Sequence, residues 1–190
     1  MIRKKITAGI LSAVAALLVL ACSKPAPAPE AAAPSTARVS NMIADWERAK
    51  KYTQAYLDSA NEKSIAYKLS DKTPRSFGDQ LLHMAEANNG FASAISGKAT
   101  EMGFGKLEKS DKYKTKAAVV GAINSSYDFV IAALKELNDG QLGDTVKIFD
   151  MPMSKEAAFN KAFEHQTHHR GQATQYLRAQ GLTPPQEMLF

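Results

Sequence analysis

Cysteine is almost missing from this sequence: among 190 residues there is one, Cys22. No intramolecular disulfide can form, which excludes the bridged scaffolds common among small exported domains. β-Strand signals are nearly as scarce, since only the short, isolated stretch Val146–Phe149 has that character. No apolar run is long enough for a comfortable membrane-spanning helix; the longest, Ile6–Ala21, falls short. Basic charge is in small excess, 24 Lys+Arg against 19 Asp+Glu, and three of the basic residues (Arg3, Lys4 and Lys5) precede that apolar run. Without residues 1–21 the balance is 21 basic against 19 acidic side chains, net +2. No clustered basic face remains to recognise nucleic acid.

What is present begins with an export pattern. A basic start, a short apolar middle and small Ala21 form a secretory signal over residues 1–21. Cys22 follows at once in Val19-Leu20-Ala21-Cys22, which resembles a bacterial lipobox, with Leu20 bulkier than the small residue usual at its place. Lipidation of Cys22 is the expectation, since each buried methylene contributes about 0.8 kcal/mol to membrane anchoring. Ser23, rather than Asp, behind the cysteine resembles the outer-membrane sorting rule of double-membraned bacteria. The expected location is therefore the cell envelope, on the outer membrane facing the periplasm.

Residues 22–39 form the expected linker. Four of the eight prolines fall in it, among alanines that cannot build a core. Such a segment extends at about 3.1 Å per residue, as a semi-rigid tether. Residues 40–190 then suffice for one domain, and their periodicity predicts an all-α four-helix bundle, up-down with one long connection. The first helix is predicted over Asn41–Tyr67, with Met42, Trp46, Ala49, Thr53, Tyr56, Ala60 and Tyr67 inward. The second starts at a Ser76/Asp79 capping box and stops at Gly97, with Phe77, Leu81, Met84, Asn88, Phe91 and Ile95 as its stripe. A polar, glycine-containing connection occupies 97–114. The third helix is predicted over Thr115–Asn138, and the fourth from its cap Ser154 to Gln180. Met151-Pro152-Met153 reads as a turn ahead of that helix.

Three of four histidines fall within five residues, His165, His168 and His169. At about 100° per residue, His165 and His169 share the inward side with Ala158, Ala162, Ala173 and Tyr176, while His168 projects to one side. Side chains four apart lie about 5–6 Å from each other at Cβ, so two imidazoles can converge on one ion. The same spacing also suits two histidines satisfied by carbonyls or carboxylates. His83, in the second helix, lies off the apolar stripe beside the small residues Ala87, Gly90 and Ala94. Di-iron Glu-x-x-His triplets are absent, because Gln80 precedes His83 and Ala162 precedes His165. The metalloprotease HExxH is absent as well, because Gln166 holds the glutamate position.

From about residue 40 to 185 the chain resembles the DinB-like (damage-inducible protein B, YfiT-like) family of four-helix metal-binding bundles. The likeness rests on Pro74-Arg75-Ser76-Phe77-Gly78-Asp79-Gln80-Leu81-Leu82-His83, on His165-x₃-His169-Arg170-Gly171-Gln172, and on Tyr176-Leu177-Arg178-Ala179-Gln180-Gly181-Leu182-Thr183-Pro184-Pro185. The resemblance implies that His83, His165 and His169 are three ligands to one divalent transition metal; zinc, nickel, iron and copper all suit such ligands. The family includes thiol-dependent S-transferases, a maleylpyruvate isomerase-like branch and members of unknown activity; three neutral imidazoles would leave open coordination positions, and a metal-dependent hydrolase or S-transferase of an unknown small-molecule substrate is the leading expectation. Gln172, Glu86 and Glu164 are candidate outer partners of the ligands, with solvated or structural roles as the alternative. A non-catalytic metal- or ligand-binding module at the envelope is the competing expectation. Partners are the membrane, through the anchor, and a second copy as a candidate homodimer.

Overall fold

The computed structural model describes residues 36–190. The expected export signal, Cys22 and the linker up to residue 35 lie outside these residues. Among the described residues there are four long α-helices and one short one: α1 (Ala37–Ser59), α2 (Glu62–Ala66), α3 (Phe77–Ser96), α4 (Lys116–Lys135) and α5 (Lys155–Ala179). A two-stranded antiparallel hairpin, β1 (Thr145–Ile148) and β2 (Met151–Ser154), precedes α5.

Local chemistry sets the helix ends. Ser76 accepts from the Asp79 amide while the Asp79 carboxylate accepts from the Ser76 amide, the expected reciprocal cap. Gly97 ends α3 in the left-handed region at φ 71°, where a side chain would be strained. Thr115 and Ser154 cap α4 and α5 through the amides of Ala118 and Ala157. The first predicted helix, by contrast, is two. Ala60 is extended at ψ 157°, and Asn61 starts α2 with its own capping box to Ser64. That local cap competes with continuation of the helix, and the apolar periodicity of 41–67 did not reveal it. Helix α1 also begins at Ala37, inside the stretch assigned to the linker.

The connection of residues 97–114 reverses the expected alternation. It runs back along α3, so Phe104 packs against Gly90, the Gly105 and Leu107 amides meet Glu86, Glu108 meets His83, and Lys114 meets Asp79. Helix α4 therefore starts beside the top of α1, with the Lys116 amide on Glu62 and the Lys116 ammonium on the Ala60 carbonyl. It ends where α3 ends, at the Lys98–Glu136 ion pair. Helices α3 and α4 are thus parallel, α1 and α5 are antiparallel to them, and the order is up, down, down, up.

Apolar stripes close the core. Trp46 is 1% exposed and packs edge-on against Tyr127 (5.7 Å between centroids) and Phe163 (5.3 Å). By length and composition α4 is apolar enough to cross a membrane, but half of that stretch is buried inside the bundle, as befits a core helix.

The stretch Val146–Phe149 is not isolated, and Met151-Pro152-Met153 is a strand rather than a turn. Ile148 pairs with Met151 across a two-residue loop in which Phe149 (φ 49°) and Asp150 (φ 65°) are both left-handed. Such loops usually carry Asn-Gly or Asp-Gly. Phe-Asp carries no such signal, and the buried Ile148 side chain and the pairing itself hold the turn.

Candidate metal centre

Three imidazoles meet between α3 and α5. Ring centroids of His83 and His165 are 5.1 Å apart, those of His83 and His169 4.7 Å, and those of His165 and His169 4.4 Å. Their ligand nitrogens all lie within 4.8 Å of one another, so the cluster is able to coordinate a divalent metal ion. Two of these side chains share a face of α5 because they are one turn apart. His83 reaches them because α3 and α5 are antiparallel neighbours.

The rotation of α5 is held by a buried polar network on its adjoining face. Tyr127 donates to Gln166 Oε1 (2.9 Å), Arg170 donates to the same oxygen (2.6 Å), and Thr53 bonds the Tyr127 hydroxyl (2.7 Å). The Arg170 guanidinium also lies 4.5 Å above the Tyr52 ring. Gln166 and Arg170 each follow a histidine in sequence, so fixing them fixes the direction of the histidines on the neighbouring face.

Outer partners set the imidazole tautomers. His83 Nδ1 lies 2.6 Å from Glu108 Oε1; a carboxylate only accepts, so the ring donates Nδ1–H and keeps its Nε2 lone pair. Arg75 clamps the same carboxylate through Nε (2.7 Å) and Nη2 (3.3 Å). His169 donates Nδ1–H to Gln80 Oε1 (2.7 Å), and Gln80 Nε2 in turn donates to Gln172 Oε1 (2.6 Å). Both rings therefore present Nε2 inward, the arrangement in which an outer hydrogen bond orients a metal ligand. His165 differs, for its Nδ1 is buried and without a hydrogen-bond partner. Among the described residues only the Asn88 and Asn89 carbonyl oxygens share that condition. An orphaned ring nitrogen on one member of a group whose ligand atoms lie within 4.8 Å of one another fits a cation; a plain hydrogen-bonded core does not explain it.

The electrostatics agree with neutral ligands. Burial, reinforced by the neighbouring His83, His168 and Arg75, pushes His165 down to about 4. Burial, and then His165, His83, His168 and Arg75, push His169 down to about 3. Both rings are unprotonated at neutral pH, the form that binds metal.

The remaining candidates divide. Gln172 is part of the hydrogen-bonded surroundings of His169. Glu86 has a structural role: fully buried in α3, it accepts from the backbone amides of Gly105 (3.0 Å), Glu108 (3.0 Å) and Leu107, pinning the connection to the helix. It stands close enough to His83 and Glu108 to form a second potential ligand group, but those three amides already occupy it. Glu164 is exposed on α5, outside the cluster. His168 is exposed and accepts on Nε2 from Gln172 Nε2 (2.7 Å). Glu108, Arg75 and Gln80 were not expected as partners of the histidines. Glu108 lies in an aperiodic connection, and nothing local in the sequence marks which helix turn that connection crosses.

No curated protein matches this chain. Solved structures share its fold. A DinB-like protein from Bacillus cereus is 21% identical, with a TM-score of 0.69 over 78% of this chain and 96% of its own. A DinB-like protein from Bacillus subtilis is 18% identical, with a TM-score of 0.60 over 79% of this chain and 96% of its own. The profile of the DinB family matches residues 35–188, and with a mostly helical bundle and a histidine cluster between its helices, the chain belongs to that family.

Proposed function

We propose that this protein is an envelope-anchored DinB-family protein that holds one divalent transition cation through His83, His165 and His169 and acts on a small molecule as a metal-dependent hydrolase or thiol S-transferase. The observation that carries this reading is the buried, partnerless Nδ1 of His165 inside a group of imidazoles whose other two members are oriented by Glu108 and Gln80. A bound cation of this kind supplies a water of lowered pKa or stabilises a coordinated thiolate. The chain's own residues supply the rest. Glu108 holds the Nδ1 proton of His83, Arg75 keeps Glu108 aimed, and Gln80 holds the Nδ1 proton of His169. Three neutral ligands leave the cation's full charge for an incoming anionic group.

The export signal and Cys22 support an anchored, periplasm-facing location, with the tether holding the bundle off the membrane. Incorporation of labelled fatty acid into wild type but not Cys22→Ser is the expected result in a bacterial host. Equal labelling of both removes the anchor from the proposal.

Metal analysis of the purified protein tests the centre. One equivalent of transition metal is expected in wild type and little in His169→Ala. Equal, negligible content in both overturns the reading. A second reading, a non-catalytic metal- or ligand-binding module, is favoured by the engagement of the nearby carboxylates: Glu86 is consumed by backbone amides and Glu108 by Arg75 and His83. A metal-loaded protein inert toward ester, amide, phosphate and thiol-transfer substrates decides for that module.

A further inference from the structure

A cleft of about 400 Å3 opens beside the histidines, between the loop that leads into α3 and the last turns of α5. Its chemistry is one-sided. Among the described residues no carboxylate lines it, whereas Arg75, His168, Gln172 and Gln175 all do, and His169 forms part of its wall.

The hydrogen bonds already made inside this wall decide what is left over. His169 donates to Gln80, Gln80 donates to Gln172, and Gln172 donates to Nε2 of His168, so the chain of bonds runs in one direction. A neutral His168 that accepts on Nε2 carries its proton on Nδ1, and that donor is free for a ligand. Gln172 keeps a second N–H. Arg75 spends Nε and Nη2 on Glu108, and its Nη1 has no hydrogen-bond partner among the described residues. The unspent groups of Arg75, His168 and Gln172 are therefore donors, one of them on a guanidinium whose other edge is paired with Glu108. Leu69, Pro74 and the ring of Tyr176 add apolar surface to the lining.

We infer that this cleft binds a small carboxylate-bearing molecule, its carboxylate received by Arg75, His168 and Gln172 and its carbon skeleton laid against Leu69 and Tyr176. A planar guanidinium beside further N–H donors matches the geometry of a carboxylate, and Glu108, which pairs with Arg75 through Nε and Nη2, does not itself line the cleft. This names the ligand class for the centre proposed above. It rests on that reading only for the added positive charge of a bound cation; the donor arrangement belongs to the protein itself.

The test is calorimetric titration of the purified protein, zinc-loaded and metal-free, with succinate, its uncharged diamide succinamide, and inorganic phosphate. Succinate is expected to bind both forms, more tightly with zinc, and succinamide to bind neither. Gln175→Glu, which puts an acid into the cleft without touching a histidine ligand, is expected to weaken succinate about tenfold while leaving zinc content unchanged. Arg75→Gln is expected to weaken it at least as much, and Arg75→Lys to recover part of the loss. Succinate binding that is absent, or equal to that of succinamide, or indifferent to Gln175→Glu and Arg75→Gln, overturns the inference. Phosphate binding more tightly than succinate overturns the carboxylate assignment. If zinc does not bind but succinate binds metal-free protein in an Arg75-dependent way, the metal reading fails and the carboxylate cleft stands.

Discussion

His83 and Glu108 are 25 residues apart in the chain, yet Nδ1 of one lies 2.6 Å from Oε1 of the other. The connection carrying Glu108 is laid back along α3, and Glu86 fastens it there, one helical turn from His83. A loop residue thereby sets the tautomer of a helix residue.

That contact predicts a measurable loss of metal affinity. Glu108→Gln keeps an acceptor for the His83 proton but removes the charge that Arg75 clamps. Zinc affinity, read by competition with a chromogenic chelator, should fall roughly 10–100-fold, the usual cost of removing an outer partner. Circular dichroism should be unchanged. Undiminished affinity counts against any orienting role for Glu108.

The histidines also make the metal-free protein acid-sensitive. In the folded chain His165 and His169 titrate at about 4 and about 3, against an ordinary value of 6.5. The unfolded chain therefore binds more protons throughout that interval, and stability rises with pH across it. Chelator-treated protein should be at its full histidine-dependent stability above about pH 6.5 and lose it progressively toward pH 4. Urea midpoints measured at steps between those limits check this, and His169→Gln should flatten the slope.

Two helix glycines should respond oppositely to alanine. A Cβ at Gly78 would lie 2.7 Å from Ile65 Cγ2 and 2.9 Å from the Ile65 carbonyl oxygen, and backbone cannot swing aside. Gly78→Ala should cost about 1–3 kcal/mol by overpacking. At Gly90 the obstacle is the end of the Phe104 side chain, 2.1 Å away but 39% exposed and held only by the Phe91 and Phe149 rings rather than by backbone. There, the gain of about 1 kcal/mol in helix propensity offsets the displaced ring. Chemical denaturation should rank Gly90→Ala well above Gly78→Ala in stability.

Tyr127→Phe probes the network behind the ligands. The hydroxyl is fully buried, and burial pushes its pKa up to about 12, so it acts only as a neutral hydrogen-bonding group between Thr53 and Gln166. Removing it leaves Thr53 Oγ1 short of a partner and should cost about 1–3 kcal/mol. Metal affinity should fall by less than in Glu108→Gln, because Arg170 still holds Gln166. A larger loss of metal than in Glu108→Gln would show that the rotation of α5 matters more to the centre than the His83–Glu108 bond.

Periodicity carried much of this structure in plain view. Phe77, Leu81, Met84, Asn88, Phe91 and Ile95 were legible as one buried face, and each is buried. The cap at Ser76 and the stop at Gly97 were legible because both are local chemistry. The Phe149-Asp150 hairpin was not, since it carries none of the residues that usually mark such a turn, and the break at Ala60 was hidden because the apolar periodicity runs on past the Asn61 cap. The inward pair His165 and His169 followed from one helical turn of spacing, while His83 entered through family likeness and was placed with them only by the packing of α3 on α5.

Helical stripes, caps and a four-residue histidine spacing are short-range properties, encoded within a turn or two of chain, and the amino-acid order alone settled them. Which way α4 runs, which carboxylate meets which imidazole, and which donors remain unspent beside His169 all depend on segments that pack together only once the chain is folded. Those choices follow from the path of one aperiodic connection, whose course is dictated by buried Glu86 gathering its amides and not by any repeat in its own residues.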